Sequence, residues 1–315
     1  MSRPHDRKHV LVVRHTRLQE LVRQRGSLAQ ARFYLEHLGA DFGDYLAEHQ
    51  HYQHALAQVH ATLQNSGRYQ VMERSFLPNM VFGPDDVVIA LGPDGLVANT
   101  LKYLQGQPLL GVNPDPARWD GLLLPFSPAD LPAALRDVLA QRRPLQAVTM
   151  AEATLPDGQR LLAVNDLFIG AQSHVSAQYR IASGSVCERQ SSSGVIVSTG
   201  LGASGWLRSM LHGARQLAGL PAAPAQDGAP PEAACRSHWG QPSLRFAVRE
   251  PFPSRHTQAS LVTGTVSEGQ PLEIESLMPE GGVIFSDGMP DDRLHFAAGM
   301  RARIQVAAQQ GLLVV

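Results

Sequence analysis

Lysine is almost absent from this chain of 315 residues. Only Lys8 and Lys102 are present, and arginine carries almost all of the positive charge. We therefore expect neither a phosphate-binding lysine of the Walker type nor a Schiff-base lysine. The two cysteines, Cys187 and Cys235, are too few for a disulfide scaffold or a cysteine-based zinc site. This cysteine usage fits a reducing compartment and predicts a cytoplasmic protein.

Long hydrophobic runs and an excess of charge of one sign are also missing. The apolar run near the start is too short for a signal peptide, and no segment is long enough to span a bilayer. The formal net charge of −1 gives no electrostatic reason to expect nucleic acid or an anionic membrane as a partner. With 43% hydrophobic residues, a chain of this length can bury a sizeable core, and it suggests two domains.

Strands and helices alternate in the first half of the sequence. A helical stretch at about 17–64 separates the strand "HVLVV" from the continuous apolar run "DVVIAL" (86–91), which is typical of a central parallel strand. The strand "PLLGVN" follows, and then a helix over 127–142 with Ser127 as N-cap and Pro128 at its first position. This order predicts an α/β domain with a parallel sheet over residues 1–145.

The helical stretch contains two further features. Ser27 is expected to cap a helix that ends at Gly39, with an apolar face made of Leu28, Ala31, Phe33, Leu35 and Leu38. The histidines of "EHQHYQH", His49, His51 and His54, lack a cysteine or carboxylate partner at zinc spacing. We interpret them as part of a solvated helix, and predict no metal-ligating residues.

Residues 146–315 have the pattern of a β-rich domain. Alternating segments flank Pro156-Asp157-Gly158 and predict a hairpin, and several short strands follow. One helix at 205–219 interrupts them, and 220–242 is expected to be a long loop. A return of the C-terminal segment to the first domain remains open.

The tetrapeptide Gly92-Pro93-Asp94-Gly95 uses ordinary turn residues, but its flanks are not those of a hairpin. A buried strand precedes it and a helix can follow, so Asp94 lies at the carboxyl end of a parallel strand, where open α/β sheets bind ligands. The flanks favour a ligand-binding loop, and a simple reverse turn remains the alternative.

A second glycine-rich segment, "GLGASG" (200–205), matches the G-x-G-x-x-G pattern of dinucleotide-binding Rossmann folds. That fold also needs a second parallel strand ending in an acidic residue about twenty residues later. The chain has a Pro/Ala-rich stretch around Asp227 instead. A Rossmann oxidoreductase is therefore disfavoured.

Three segments, in order, resemble motifs of the NAD kinase family. "VIALGPDGLVAN…PLLGVNPDP" is similar to the family's Gly-Gly-Asp-Gly loop and the Asn-Thr-Asp-Pro-like turn after the next strand. "AVNDLFIG" resembles its Asn-Glu motif, and "SSSGVIVSTGLGASGWLRSM" its Thr-Gly-Ser-Thr-Ala-Tyr segment. The long helical insert and Ser-Ser-Gly in place of Gly-Asp-Gly look closest to the mitochondrial-type branch.

This resemblance implies a two-domain kinase that phosphorylates the adenosine-ribose 2′-hydroxyl of NAD to give NADP. Asp94 would accept the hydroxyl proton, and Gly92 and Gly95 would belong to the phosphate loop. NAD would contact Asn165, Asp166, Ser204, Gly205 and Trp206. The partners would be NAD and a phosphate donor, ATP or another, with Mg²⁺ as cofactor. We also expect a homodimer.

Departures from the family pattern leave alternatives open. Pro93 replaces the second glycine of the loop and removes a backbone N–H, while Leu96 and Ser193 replace a usual threonine and a frequent aspartate. A catalytically weak NAD- or nucleotide-binding relative is one alternative. A lipid or small-alcohol kinase of the same superfamily is the other.

Overall fold

The structure is a computed structural model that describes residues 7–220 and 238–315. Contacts divide the chain into two units. Unit 1 runs up to Leu145 and includes Leu312–Val315, and unit 2 comprises Gln146–Gly311. Most of the loop expected at 220–242 lies outside the described residues, as do Asp227 and Cys235.

The described residues contain both helices and strands. The helices are α1 Arg17–Arg25, α2 Leu28–His37, α3 Phe42–Ser66, α4 Asp94–Leu101, α5 Leu131–Leu139 and α6 Trp206–Leu217. The strands up to the middle of the chain are β1 His9–Val13, β2 Tyr69–Glu73, β3 Val87–Leu91, β4 Pro108–Val112, β5 Leu145–Thr154, β6 Arg160–Ala163, β7 Asp166–Ala171 and β8 Ala177–Ser183. The later strands are β9 Val186–Ser192, β10 Val195–Ser198, β11 Ser243–Val248, β12 Thr263–Ser267, β13 Leu272–Ser276, β14 Gly282–Ser286, β15 Met289–His295 and β16 Arg301–Val314.

Unit 1 has a parallel sheet in the order β2-β1-β3-β4, followed by the last residues of β16. All five residues of β3 are buried, as expected for a central strand covered on both faces. Side chains of α3 and α5, among them Val59, Leu63 and Leu135, pack with β3 into one core. The C-terminal residues Leu312 and Leu313 pair with β4.

The helix expected after Ser27 is present as α2, and the Ser27 hydroxyl accepts the N–H of Gln30. The predicted apolar face is wrong in part. Ala31 and Leu35 are buried, whereas Leu28, Phe33 and Leu38 are 51%, 71% and 60% exposed. The two buried residues are four positions apart, so α2 buries a narrow stripe and its other apolar side chains face outward.

The helix expected at 127–142 is shorter than predicted. It begins at Leu131 with Asp130 as its N-cap, and the Ser127 backbone N–H and hydroxyl both donate to the Asp130 carboxylate, at 2.9 and 2.6 Å. Ser127 and Pro128 therefore precede the helix, because Asp130 ties Ser127 into the turn before it. Pro132 takes the early helical position that needs no backbone N–H.

Unit 2 consists largely of antiparallel sheets. One has the order β12-β11-β10-β7-β14-β15, and the other contains β16, β13, β8 and β9, with β5 and β6 beside β16. Strands β5 and β6 form the hairpin expected around Pro156-Asp157-Gly158. Apolar residues of both sheets, including Ile169, Phe246 and Ile304, form one buried core.

The prediction of a parallel α/β N-terminal domain and a β-rich C-terminal domain is confirmed. In residues 7–220 and 238–315, every helix is too short or too polar to cross a membrane.

Gly111 in β4 allows the chain at Leu123 to lie directly against the strand. A Cβ at Gly111 would overlap the carbonyl oxygen of Leu123 and lie 3.2 Å from Val97. The closest neighbour is backbone, which cannot rotate away as a side chain can. The segment around Leu123 therefore depends on glycine at this position.

We expect Gly111→Ala to destabilise the protein by about 1–3 kcal/mol, the usual cost of overpacking, because the Leu123 backbone must move. Chemical denaturation measures the change. Gly213→Ala is the control, since Gly213 lies in α6 with nothing within 4 Å of the added methyl group. That variant should be neutral or slightly more stable. Equal stability of the Gly111→Ala protein and the wild type would contradict the contact.

Candidate functional site

The Gly92-Pro93-Asp94-Gly95 segment joins the buried strand β3 to α4. Asp94 is the first residue of α4 and Pro93 is its N-cap, with φ −75°. A Cβ at Gly92 would lie 2.8 Å from the end of the buried Leu96 side chain, so a larger residue there would force Leu96 to move. Gly95 is exposed and has open space around it. The segment thus has a strand-to-helix geometry, which distinguishes it from the hairpin turn at Asp157.

The Asp94 carboxylate is half-buried and held by backbone. Its Oδ1 accepts the N–H of Leu123 at 2.6 Å. Burial raises the pKa of Asp94 above its ordinary value, and the hydrogen bond from Leu123 opposes that rise. Asp94 is therefore a fixed carboxylate with increased affinity for a proton.

The loop that follows β4 is held in place by Asn113. Its side-chain Oδ1 accepts the N–H of Asp115 at 3.0 Å, and its Nδ2 donates to the carbonyl of Trp119 at 3.1 Å. Gly121, at φ +68°, turns the chain where a Cβ would lie 2.6 Å from that Nδ2. The "NPDP" turn seen in the sequence therefore shapes the loop whose end reaches Asp94 at Leu123.

Side chains from the helical insert lie beside the strand ends of unit 1. The Tyr52 hydroxyl accepts the N–H of Arg14 at 3.1 Å and donates to the carbonyl of Leu91, the last residue of β3, at 3.2 Å. Arg14 pairs with the buried Glu48 at 2.8 Å, and Arg17 pairs with the same carboxylate. The sequence did not indicate this cluster, because Arg14 is more than thirty residues away from its partners Glu48 and Tyr52.

The histidines of α3 contact other parts of unit 1. His51 Nδ1 lies 3.1 Å from Asp115, and His49 Nδ1 lies 3.0 Å from the Thr16 hydroxyl. His54 contacts Gln58 on the same helix. Nowhere in residues 7–220 and 238–315 do three or more His, Cys, Asp or Glu side chains form a group that could hold a metal ion.

In unit 2, Val164 and Asn165 connect β6 to β7, and Asp166 is the first residue of β7. We call these three residues the 164–166 turn; their backbone N–H groups and carbonyls are all hydrogen-bonded. The Asp287 carboxylate accepts the N–H of Val164 at 2.9 Å through Oδ2, and those of Asn165 and Asp166 at 2.6 and 3.2 Å through Oδ1. Thr199 bonds the carbonyls of Val164 and Asn165 with its hydroxyl and N–H, at 2.6 and 2.9 Å. The Asp287 N–H donates to the Asp166 carbonyl at 3.0 Å.

The "GLGASG" segment packs against this turn. A Cβ at Gly202 would overlap the carbonyl oxygen of Asn165, so this glycine serves backbone packing. The Ser204 hydroxyl donates to the carbonyl of Leu201 at 3.1 Å, and Gly205 is the N-cap of α6. Ser204, Gly205 and Trp206, the first residue of α6, follow closely after Gly202, the residue that packs against Asn165.

A cleft of about 550 Å³ in unit 2 is lined by residues that include Asn165, Asp166, Trp206 and Asp287. Aromatic rings form one of its walls. Phe168 stacks on Trp206 with ring centroids 5.7 Å apart, and on Phe285 at 6.1 Å. The Arg249 guanidinium lies over the Trp206 ring, 5.2 Å from its centroid. Trp206 is 39% exposed, so the indole belongs to the cleft wall and not to the core.

Asp166 is a carboxyl group of this cleft whose pKa is strongly raised. Burial raises the pKa of Asp166 to about 7, the negative charge of Asp287 adds to the rise, and a hydrogen bond from Ser198 opposes it. Near neutral pH this group is therefore divided between an acid that can donate a hydrogen bond and a carboxylate that can accept one. Either form can bond a sugar hydroxyl.

Asp287, Arg249, Phe168 and Phe285 were not among the predicted site residues. Their strands pair with one another or approach the 164–166 turn only in the folded sheet. The sequence "SDG" at 286–288 is most simply interpreted as a turn between strands, although Asp287 lies in a segment that resembles the last conserved loop of the NAD kinase family. The local sequence signal is the Asp-Gly pair, which favours two-residue hairpin turns. In the structure, Asp287 and Gly288 have φ of +51° and +68°.

The two units together have the fold of NAD kinases. A solved NAD kinase from Archaeoglobus fulgidus, in complex with ATP, matches with a TM-score of 0.55 at 14% identity, over 98% of this chain and 93% of that one. Yeast NADH kinase complexed with NADH matches with a TM-score of 0.57 at 15% identity, over 98% and 83%. No protein-family model matches the sequence, and no curated protein sequence matches it.

We expect Asp166→Asn to stabilise the protein in a pH-dependent way. The folded-state pKa of about 7 lies above the ordinary 3.8, so folding favours the protonated acid. Above pH 7 the ionised Asp166 lowers the free energy of unfolding by its full amount. This loss of stability becomes smaller as the pH falls and is absent below about pH 4, where the group is protonated in both states. An uncharged asparagine should therefore gain about 1–3 kcal/mol at pH 8 and less than half of that at pH 5.

Thermal unfolding at the two pH values measures this difference. The control is Asp157→Asn, because Asp157 is exposed and bonds with Gln159 lower its pKa. That variant should show no gain at high pH. A stabilisation by Asp166→Asn that is the same at pH 5 and pH 8 would show that Asp166 does not titrate in this range.

Proposed function

We propose that this chain is an NAD kinase-like phosphotransferase that adds phosphate to the adenosine-ribose 2′-hydroxyl of NAD. The observation that carries the proposal is the Asp94 carboxylate, held by the Leu123 N–H at the end of a central parallel strand. Ligands of open α/β sheets bind at such strand ends. The fold shared with ATP- and NADH-bound kinases supports the nucleotide as the substrate class.

Asp94 is proposed to act as the general base. The ribose hydroxyl oxygen forms a bond to the terminal phosphorus of the donor, the bond from that phosphorus to the leaving phosphate oxygen breaks, and the hydroxyl proton goes to Asp94. A base works best when its pKa approaches the working pH. Burial raises the pKa of Asp94 in that direction, and Leu123 keeps the carboxylate oriented.

The cleft of unit 2 is proposed to bind NAD. Asn165 and Asp166 provide an amide and a carboxyl group for ribose hydroxyls, and both line the cleft. Trp206 and Phe168 provide an aromatic wall for a base, as stacked rings do in nucleotide sites. Ser204 and Gly205 precede Trp206 and are proposed to contact the adenine half of NAD.

The phosphate donor is proposed to be ATP or another polyphosphate, with Mg²⁺. Magnesium in such sites is bound through one or two carboxylates together with substrate phosphates. We assign it no protein ligand, since the described residues contain no metal-binding group of three acidic, His or Cys side chains. When bound, the ion neutralises charge that develops on the phosphates. The homodimer and the mitochondrial-type branch stay predictions.

Two rival functions make different use of the same residues. A binding-only relative keeps the NAD cleft but does not turn over. A lipid or small-alcohol kinase shares the aspartate loop and has no need of an aromatic wall beside two carboxyl groups. That combination suits a nucleoside better than an alkyl chain, because it pairs a base-stacking surface with partners for ribose hydroxyls.

We expect Asp94→Asn to reduce NADP formation by about 10²–10⁴-fold, because asparagine keeps the shape of the side chain but cannot take the proton. NAD affinity should stay within about threefold, measured by calorimetry. Asp157→Asn is the matched control, since Asp157 occupies the same Pro-Asp-Gly sequence in an exposed hairpin. The control should leave turnover unchanged.

The same assay separates the proposal from its rivals when it is run with ATP and with inorganic polyphosphate. Turnover of Asp94→Asn within threefold of the wild type would remove Asp94 from the mechanism. NAD binding without phosphorylation by either donor would show a binding-only protein. Absence of NAD binding, with phosphorylation of a lipid or small alcohol, would support the second rival.

Trp206→Ala should weaken NAD binding by about 1–2 kcal/mol if the indole stacks on a base, within the range for base–aromatic stacking measured by alanine substitution. The nucleotide-free protein should lose little stability, because Trp206 is partly exposed and borders a cleft. Phe33→Ala, an exposed aromatic of α2, is the control for removing a ring. A large fall in melting temperature with unaltered NAD affinity would identify Trp206 as a packing residue.

A further inference from the structure

Asp287 lies in the tight turn between β14 and β15. Both Asp287 and Gly288 have positive φ, +51° and +68°, as residues in two-residue hairpin turns do. Such a turn needs an amino acid that tolerates the left-handed conformation, and asparagine or glycine would serve as well as aspartate. The turn alone therefore does not account for a carboxylate.

The contacts of the carboxylate point to a second task. It accepts three consecutive backbone N–H groups, those of residues 164, 165 and 166, which are more than 120 residues away in the sequence. Both oxygens are used. Only a carboxylate offers two acceptor oxygens in this position, because an asparagine replaces one of them with an N–H₂ donor.

The surroundings of residue 287 are electrostatically unfavourable for a carboxylate that makes no compensating hydrogen bonds. Asp287 lies near Asp166, and its negative charge opposes ionisation of that partly buried carboxyl group. Two carboxyl groups that line one cleft repel each other. The three N–H donors offset that repulsion, so the backbone of the 164–166 turn and the Asp287 carboxylate depend on each other.

We propose that Asp287 is a positioning residue that locks the backbone of the 164–166 turn and thereby directs the side chains of Asn165 and Asp166 into the cleft. The role in ligand binding rests on the proposed NAD site. With the N–H groups bonded to Asp287 and the carbonyls bonded to Thr199 and Asp287, the turn has little freedom to rotate. The two side chains then meet a ligand in a prearranged geometry, which lowers the cost of binding.

The variant Asp287→Asn tests this role. Asparagine keeps the size and the left-handed backbone but loses one acceptor oxygen, so the turn between β14 and β15 should form. Hydrogen–deuterium exchange of the nucleotide-free protein should become at least about tenfold faster in peptides covering 164–166. Asp157→Asn, the same substitution in another Asp-Gly turn, should leave exchange there unchanged.

NAD titration then measures the effect on the cleft. We expect the Kd for NAD to rise about 10- to 100-fold in Asp287→Asn, because Asn165 and Asp166 must then be ordered when the ligand binds. In the kinase assay the KM for NAD should rise while the KM for the phosphate donor changes less than about threefold. Melting curves of both variants show whether the protein remains folded.

The outcomes separate this inference from the proposed function. Unchanged exchange at 164–166 would overturn the locking role whether or not the protein is a kinase. Faster exchange with NAD affinity within twofold of the wild type would show that the contacts are structural only. If the wild type does not bind NAD, the proposed function and the ligand-directing role both fail, while the exchange experiment still decides whether Asp287 holds the turn.

Discussion

In both units, two backbone segments lie in direct contact, and this contact fixes the positions of the candidate site residues. In unit 1, Gly111 lets the chain at Leu123 lie against β4, and Leu123 donates the N–H that orients Asp94. In unit 2, Gly202 lets the start of the α6 segment lie against the carbonyl of Asn165. Neither glycine was among the predicted site residues. The orientation of the chemically important side chains therefore depends on positions where any Cβ would overlap a carbonyl oxygen.

Carboxyl groups in the two units are held in different ways, and the difference follows from their hydrogen bonds. Asp94 is half-buried and has the Leu123 N–H on one oxygen, so it is oriented while it remains able to take a proton. Asp287 gives both oxygens to backbone N–H groups and serves the fold of a turn. Asp166 lies near it, and burial raises the pKa of Asp166 to about 7, so its charge changes near neutral pH. The same residue type is thus proposed as a base at Asp94, as a support at Asp287 and as a ligand contact at Asp166.

The fold was predictable from the sequence where the signals were local. The apolar run of β3, the polar loop at Asp94 and the helix after it are contiguous, and the hairpin at Asp157 has alternating flanks. Strand β2 was not predicted, because it is an edge strand with a single buried residue, Met72. The buried face of α2 was misjudged for a similar reason, since neighbouring elements decide which apolar side chains are covered. The contacts of Asp287 join residues over 120 positions apart and have no local pattern.

In the proposed reaction, binding of the phosphate donor depends on the backbone N–H groups that the Asp94 loop leaves free. Gly92 donates its N–H to the carbonyl of Val112 at 3.3 Å, and Leu96 donates to the carbonyl of Pro93 at 2.8 Å. Proline itself has no N–H. The Asp94 N–H is also close enough to its own carboxylate to bond it. A phosphate that approaches this loop therefore meets few free amides, and each charge-assisted bond that is missing costs roughly 1.5–3 kcal/mol. Donor affinity must then come from groups outside the loop. A kinase built in this way pairs a well-oriented base with a weakened phosphate loop, so substitution of Pro93 should alter donor use before it alters NAD binding.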